Sequence, residues 1–270
     1  MPKVRPAAVA GAFYPGEASL LAAEIAGCLR EARGPRPGER PPKAIIAPHA
    51  GYRYSGPVAA SAYALLAPLR GRVSRVVLAG PAHRVFVRGA AVPRAEAFAT
   101  PLGDVSLDLE ALERLRRLPF VESSDPAHAL EHSLEVHLPF LLAVLGEFRL
   151  VPVVVGDATP QEMAALLEAV WGGDETLVVV SSDLSHFLPY EAARERDRAT
   201  AGEILSLSPR IEPEEACGAA PVNGLLEVAR RRGLAAQLLD LRNSGDTAGG
   251  RSQVVGYGAF AFREAGGGHA

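Results

Sequence analysis

The chain has 270 residues, nearly half of them apolar, and a formal net charge of −3 from 28 Lys/Arg and 31 Asp/Glu. That length suits a single α/β domain with a sizeable core, and balanced charge without a basic stripe argues against a nucleic-acid partner. Two cysteines, Cys28 and Cys217, outside any Cys-x-x-Cys spacing exclude a disulfide framework and a cysteine-rich zinc site.

No apolar run reaches the roughly 18–20 residues of a membrane helix, and no leader pattern opens the chain, so a cytoplasmic protein without membrane contact is expected. Scarce Asn, Gln, Cys and Met beside abundant Arg, Pro and Glu suit a thermophile, and equally a GC-rich genome.

In chain order, "GAFYPG" (11–16) reads as an aromatic anchor and a turn, and the Pro/Gly-rich "RGPRPGERPP" (33–42) as a surface connection. "KAIIAPH" (43–49) is a buried strand, followed by the helical spacing of "GPVAASAYALLAPL" (56–69). "RVVLAGPAH" (75–83) is the next strand and "GAAVP" (89–93) a short one. "LDLEALERLRRL" (107–118) is a helix with its acids early and its arginines late, as the helix dipole prefers. "SLEVHLPFLLAVLG" (133–146) is a buried helix, with Ser133 a credible N-cap and Pro139 tolerable near its start. "RLVPVVVG" (149–156) is a strand. "TPQEMAALLEAVWGG" (159–173) is a helix capped by Thr159 with Pro160 at its first position. "TLVVVSSDLSH" (176–186) is again a strand, "YEAARERDRATAGEIL" (190–205) and "PVNGLLEVARRRG" (221–233) are helices, and "AAQLLDLRNSGD" (235–246) and "SQVVGYGAFAF" (252–262) are the last strands. Residues 1–262 form one domain in this reading, and "REAGGGHA" (263–270), with His269, is a flexible tail.

Several strands are apolar at successive rather than alternate positions, the pattern of burial on both faces in a helix-covered, largely parallel sheet. Ligands of such sheets sit beyond the carboxyl ends of the strands. Three strands end there in the same manner, delivering His49, His83, and Asp183 with His186. One such histidine is more often structural than functional, but three at equivalent places point to one site. Imidazole is the commonest metal-binding side chain, and neutral nitrogen suits Fe, Zn, Cu or Ni.

"EHSLEVHLP" (131–139) is a second concentration of chemistry. It lacks HExxH spacing, so it is read evenly as structure or as site lining by His132 and Glu135, which could also orient a ligand histidine. "SGDTAGG" (244–250) is a tight loop by default. Cys217, with no histidine near in sequence, reads as a packing cysteine, and His128 as a surface residue.

The ordered set "GAFYPG", "PHAGYRYSG", "GPAH", "EHSLEVHLPFL", "SSDLSH", "CGAAPV" and "NSGD…VVGY" resembles the Memo family, whose bacterial members are called AmmeMemoRadiSam system protein B, from about residue 4 to 262. The resemblance implies a three-layer α/β/α sandwich with a mixed, largely parallel sheet, similar to class III extradiol dioxygenases. It implies a pocket of His49, His83, His186 and Asp183, with Phe13 and Tyr54 near its mouth. In animal relatives two histidines matching His49 and His83 bind iron or copper with a cysteine from the C-terminal loop. Here that loop has no cysteine, and Asp246 beside the matching place would supply a harder oxygen ligand, favouring Fe(II) or Zn over Cu(I).

The expectation is a non-haem metal-dependent redox or oxygenase-like enzyme. Its metal ligands are His49, His83 and Asp246, and its ion is Fe(II) ahead of Cu or Zn, with a metal-free pocket as the remaining case. His186, oriented by Asp183, is the acid/base group acting on a small aromatic or carbonyl substrate, with Phe13, Tyr54, His132 and Glu135 lining the pocket. The competing readings are a non-catalytic module that recognises a peptide or partner protein, and metal-assisted hydrolysis. The family name implies association with an AMMECR1-type protein and a radical SAM enzyme.

Overall fold

The computed structural model describes residues 3–264. Its strands are β1 (Val4–Arg5), β2 (Ala44–Ala47), β3 (Arg75–Pro81), β4 (Ala90–Val92), β5 (Ala97–Phe98), β6 (Val105–Ser106), β7 (Val121–Ser123), β8 (Arg149–Val155), β9 (Thr176–Ser181), β10 (His186–Leu188), β11 (Leu234–Asn243) and β12 (Val254–Glu264). Its helices are α1 (Ala18–Glu31), α2 (Tyr52–Tyr63), α3 (Leu109–Leu115), α4 (Asp125–Ala129), α5 (Leu138–Leu145), α6 (Pro160–Ala169), α7 (Tyr190–Leu205), α8 (Ala219–Arg231) and the single turn α9 (Ser244–Thr247).

The main sheet runs β10-β12-β2-β9-β3-β8-β4-β7, with β11 also paired to β12. Its centre, β2-β9-β3-β8, is parallel, while β12 and β4 join it antiparallel. Every residue of β2 and β9 is buried, so both faces need a cover. Helices α1, α2 and α5 pack together on one side and α3, α6 and α8 on the other, which makes the three-layer α/β/α sandwich. Each fully buried Val, Leu or Ile of these strands contributes about 1.5–3 kcal/mol. A separate small sheet, β1-β5-β6, escapes sequence reading because two-residue strands carry no periodicity. Helix α1 is also unassigned from sequence, since only Leu21 and Ile25 of its 14 residues are buried.

Register is what builds the site. Ala47 of β2 lies beside Ser181 of β9, and Ala79 of β3 beside Val180. The three strands therefore end on one rim, and the residues just beyond them, His49, His83 and Asp183, emerge side by side.

Several local expectations change. The helix expected over 133–146 starts later: a 3-10 turn at Glu135–His137 leads into α5, which begins at Leu138 with Pro139 in its first turn. Ser133 is no N-cap, because its hydroxyl donates to the Pro81 carbonyl at 2.8 Å. His128 is buried, its Nε2 3.0 Å from the Ala91 carbonyl and its ring edge-on to Phe98. The tight loop at 244–250 begins as the α9 turn. β12 extends to Glu264, so two residues assigned to the tail belong to the sheet, and the rest of the tail, with His269, lies outside the described residues.

Candidate metal centre

Three imidazoles meet beyond the strand ends. The ring centroids of His49 and His83 are 5.1 Å apart, those of His49 and His132 5.5 Å, and those of His83 and His132 4.7 Å. One nitrogen from each of the three lies within 4.8 Å of the other two. Two of these rings come from strand ends. The third, His132, comes from the irregular segment that packs against β3. Gly80 lets this segment approach: a Cβ there would stand 2.9 Å from Leu134 Cδ2 and 3.1 Å from Ser133 Oγ.

Glu131 organises two of the three. Its carboxylate accepts from the His83 ring Nδ1 at 2.9 Å, from the His83 backbone N–H at 2.6 Å, and from the N–H groups of His132 and Ser133, both at 2.9 Å. Burial opposes ionisation, but these donors, led by His83, outweigh it and hold the carboxyl at about 2. A carboxylate on Nδ1 fixes the His83 tautomer and leaves Nε2 as the ligating lone pair, the usual support of a metal-binding histidine. His132 Nδ1 is 3.3 Å from Glu131 Oε1 without hydrogen-bonding geometry, and is a buried nitrogen without a partner. Burial holds the His49 and His132 rings neutral. His49 lies well below its usual value through burial and the neighbouring imidazoles, and burial, against the pull of Glu131, brings His132 down to about 4. Neutral nitrogens, one of them an orphan, are the donor set that a borderline transition metal takes.

The other expected residues are placed as follows. Asp183 is buried and accepts from the backbone N–H of His49 at 2.8 Å and from that of Ala50. It thus anchors the His49 loop, while the His186 ring faces the Leu184 carbonyl. Burial, partly offset by these N–H donors, pushes Asp183 up to about 7. His186 is half-buried, near enough to His83 and His49 to be coupled to their charge, and is followed by exposed Phe187 at φ 59°, a strained setting for a non-glycine residue. The half-buried Phe13 tilts against His132 at 4.8 Å. Tyr54 is exposed and neighbours Tyr257, which in turn neighbours Asp183.

Two residues have other duties. Glu135 is fully buried, bonded to Arg5, to Tyr14 Oη at 2.6 Å and to the N–H groups of Ala8 and Val9. Its duty is to lock the N-terminal segment. Asp246 caps α9 through the Asn243 N–H at 3.0 Å and takes the Tyr190 hydroxyl at 2.5 Å. It is not in the three-residue cluster that could hold an ion; the third member is His132. Cys217, in contrast, is drawn in: its Sγ is 3.4 Å from His49 Nε2. Gly218 permits this, since a Cβ there would stand 2.5 Å from the Ser181 carbonyl oxygen. No spacing in the sequence signals the Cys217 or Glu131 contacts, which arise from segments far apart in the chain.

A family model described as "Memo-like protein" matches residues 5–261. The chain belongs to the Memo family. Similar proteins include a "MEMO1 family protein" of Ignicoccus hospitalis, 39% identical and covering 96% of this chain and 98% of its own length. Others are the MEMO1 family proteins of Methanopyrus kandleri (37%, 96% and 99%) and Sulfolobus acidocaldarius (35%, 94% and 97%). A crystal structure of an uncharacterized protein from Escherichia coli K12 matches this Memo-family chain with a TM-score of 0.50 and 16% identity. The match covers 81% of this chain and 99% of that one, and it speaks for the fold alone. Among the described residues no helix is long and apolar enough to cross a membrane.

Proposed function

We propose that this Memo-family protein is a non-haem metal-dependent redox enzyme of oxygenase-like type, with His49, His83 and His132 as the protein ligands and Fe(II) as the working ion. The observation that carries the reading is the convergence of three imidazole nitrogens within 4.8 Å. When bound, such an ion supplies Lewis acidity and one-electron redox capacity beside open coordination positions.

The chain's own residues do the rest. Glu131 holds His83 in the ligating tautomer, and Asp183 fixes the backbone at His49. Phe13 against His132 offers an apolar wall for a planar aromatic or carbonyl substrate. Burial lowers the pKa of the half-buried His186 beside the cluster and keeps its imidazole neutral, which supports a role as the base that takes a proton from the substrate. Three neutral ligands leave the charge of a divalent ion uncompensated, which favours an anionic substrate such as a phenolate or enolate.

The test is metal content after anaerobic purification. The reading expects iron near one equivalent in the wild type, and its loss in His83→Ala and in His132→Ala when both variants remain folded by circular dichroism. A wild type that takes up no iron under these conditions overturns the reading in favour of a binding module. Stoichiometric zinc with oxygen-insensitive turnover overturns it in favour of hydrolysis.

A further inference from the structure

Behind His49 lies a chain of buried polar groups that the proposed chemistry does not use. Ser181 Oγ meets His49 Nδ1 at 2.6 Å, His137 Nε2 at 2.8 Å and the Ser133 carbonyl at 2.6 Å. The other nitrogen of His137, Nδ1, is 2.5 Å from the hydroxyl of Tyr63. Ser181, Tyr63, His137 and His49 are all buried.

We propose that Ser181, His137 and Tyr63 form a relay that fixes the tautomer of His49, protonating Nδ1 and leaving the Nε2 lone pair facing the site. The argument is a count of protons. Ser181 has one hydroxyl hydrogen and three neighbours. The Ser133 carbonyl has none to give, so its 2.6 Å contact is a hydrogen bond only if the hydroxyl donates to it. Oγ then accepts from both imidazoles, which places a proton on His49 Nδ1 and another on His137 Nε2. His137 Nδ1 is therefore bare and receives the Tyr63 hydroxyl proton. Every donor in the relay has one acceptor. In the opposite arrangement, His137 carries its proton on Nδ1 and Ser181 donates to Nε2. The Ser133 carbonyl then faces an oxygen with no hydrogen between them, and the Tyr63 hydroxyl hydrogen has no acceptor in the core. Both are expensive in a site closed to water.

The relay is thus the neutral counterpart of Glu131. One ligand histidine is oriented by a carboxylate and the other by a hydroxyl whose direction is set from the core. Ser181, His137 and Tyr63 are positioning residues, acting through His49. The inference bears on the site read above as a metal centre, yet the tautomer is a property of the metal-free protein and is read without any ion.

The experiment is long-range 1H–15N correlation spectroscopy of the metal-free protein labelled with 15N-histidine, with His49 and His137 assigned by loss of signal in His49→Gln and His137→Gln. Expected are His49 as the Nδ1–H tautomer, the minor form of free neutral histidine, and His137 as Nε2–H. In Ser181→Ala, His49 gains the Nε2–H form. In Tyr63→Phe, which keeps the ring in the core, His137 loses its single tautomer. In Ser181→Ala, Co(II) binds roughly 10–100-fold more weakly than in the wild type. His49 found as Nε2–H in the wild type or unchanged in Ser181→Ala, or His137 keeping its single tautomer in Tyr63→Phe, overturns the relay. Wild-type protein with the stated tautomers and no Co(II) uptake supports the relay and counts against the metal reading alone.

Discussion

Glu131 and Glu135 stand four positions apart and carry unlike duties. Glu131 faces the imidazole cluster, whereas Glu135 neutralises buried Arg5 and closes the N-terminal segment. Glu131→Gln is expected to weaken metal uptake roughly 10–100-fold, read by Co(II) titration. Glu135→Gln should leave uptake by the folded protein intact but destabilise it by about 3–5 kcal/mol, because Arg5 loses its buried counter-charge; urea unfolding checks this. His128 offers a pH test away from the site. Its Nδ1 is buried without a partner, so protonation adds a donor with nothing to meet, and burial, outweighing the hydrogen bond to the Ala91 carbonyl and aided by nearby Arg5 against Asp125 and Glu131, holds it at about 4. The folded value lies below the unfolded one of about 6.5. The contribution is therefore complete above pH 6.5 and is lost as pH falls through 4. It is on the order of 3 kcal/mol, and His128→Gln should flatten the acid limb of the urea midpoint over that window.

At the scale of elements, regular pieces with strong local signals are legible in the sequence. Helix α6 has the Thr159–Glu162 capping box and Pro160 in its first turn, and α7 spans Tyr190–Leu205 as its polarity pattern indicates. The segments without a period are not legible: the two-residue strands, and the 131–137 stretch that supplies His132. Helix contacts depend on single atoms. On α8, a Cβ at Gly224 would stand 2.3 Å from Met163 Cβ of α6. Gly224→Ala should wedge these helices apart at about 1–3 kcal/mol, measured as a lower melting temperature, even though alanine has the higher helix propensity.

For the whole molecule, a ligand bound only by the folded state adds stability by mass action. Fe(II) or Co(II) at about 100 times its Kd should add roughly 2.7 kcal/mol and raise the melting temperature of the wild type, with no shift in His83→Ala. The thermophile-like composition expects a midpoint above the ~45–65 °C common for mesophile domains, and scanning calorimetry decides it against a purely genomic bias. In this sandwich the apolar strands form a rigid floor whose register sets the site, so metal binding is expected to leave the sheet unchanged and to tighten only the loops beyond its rim.

The sequence by itself determined the α/β class, the family, and the placement of His49, His83 and Asp183 at the ends of buried strands, because hydrophobic runs and turn residues are local signals. It also held every motif of the site in order. Only the tertiary structure decided that His132 rather than Asp246 joins the two strand-end histidines, that Glu131 and not Glu135 serves them, and that Cys217 lies against His49. Those choices rest on which segments the packed sheet brings within hydrogen-bonding distance. Proximity between residues 49, 83, 132 and 217 arises from strand register and close glycine contacts, which no periodicity along the chain encodes.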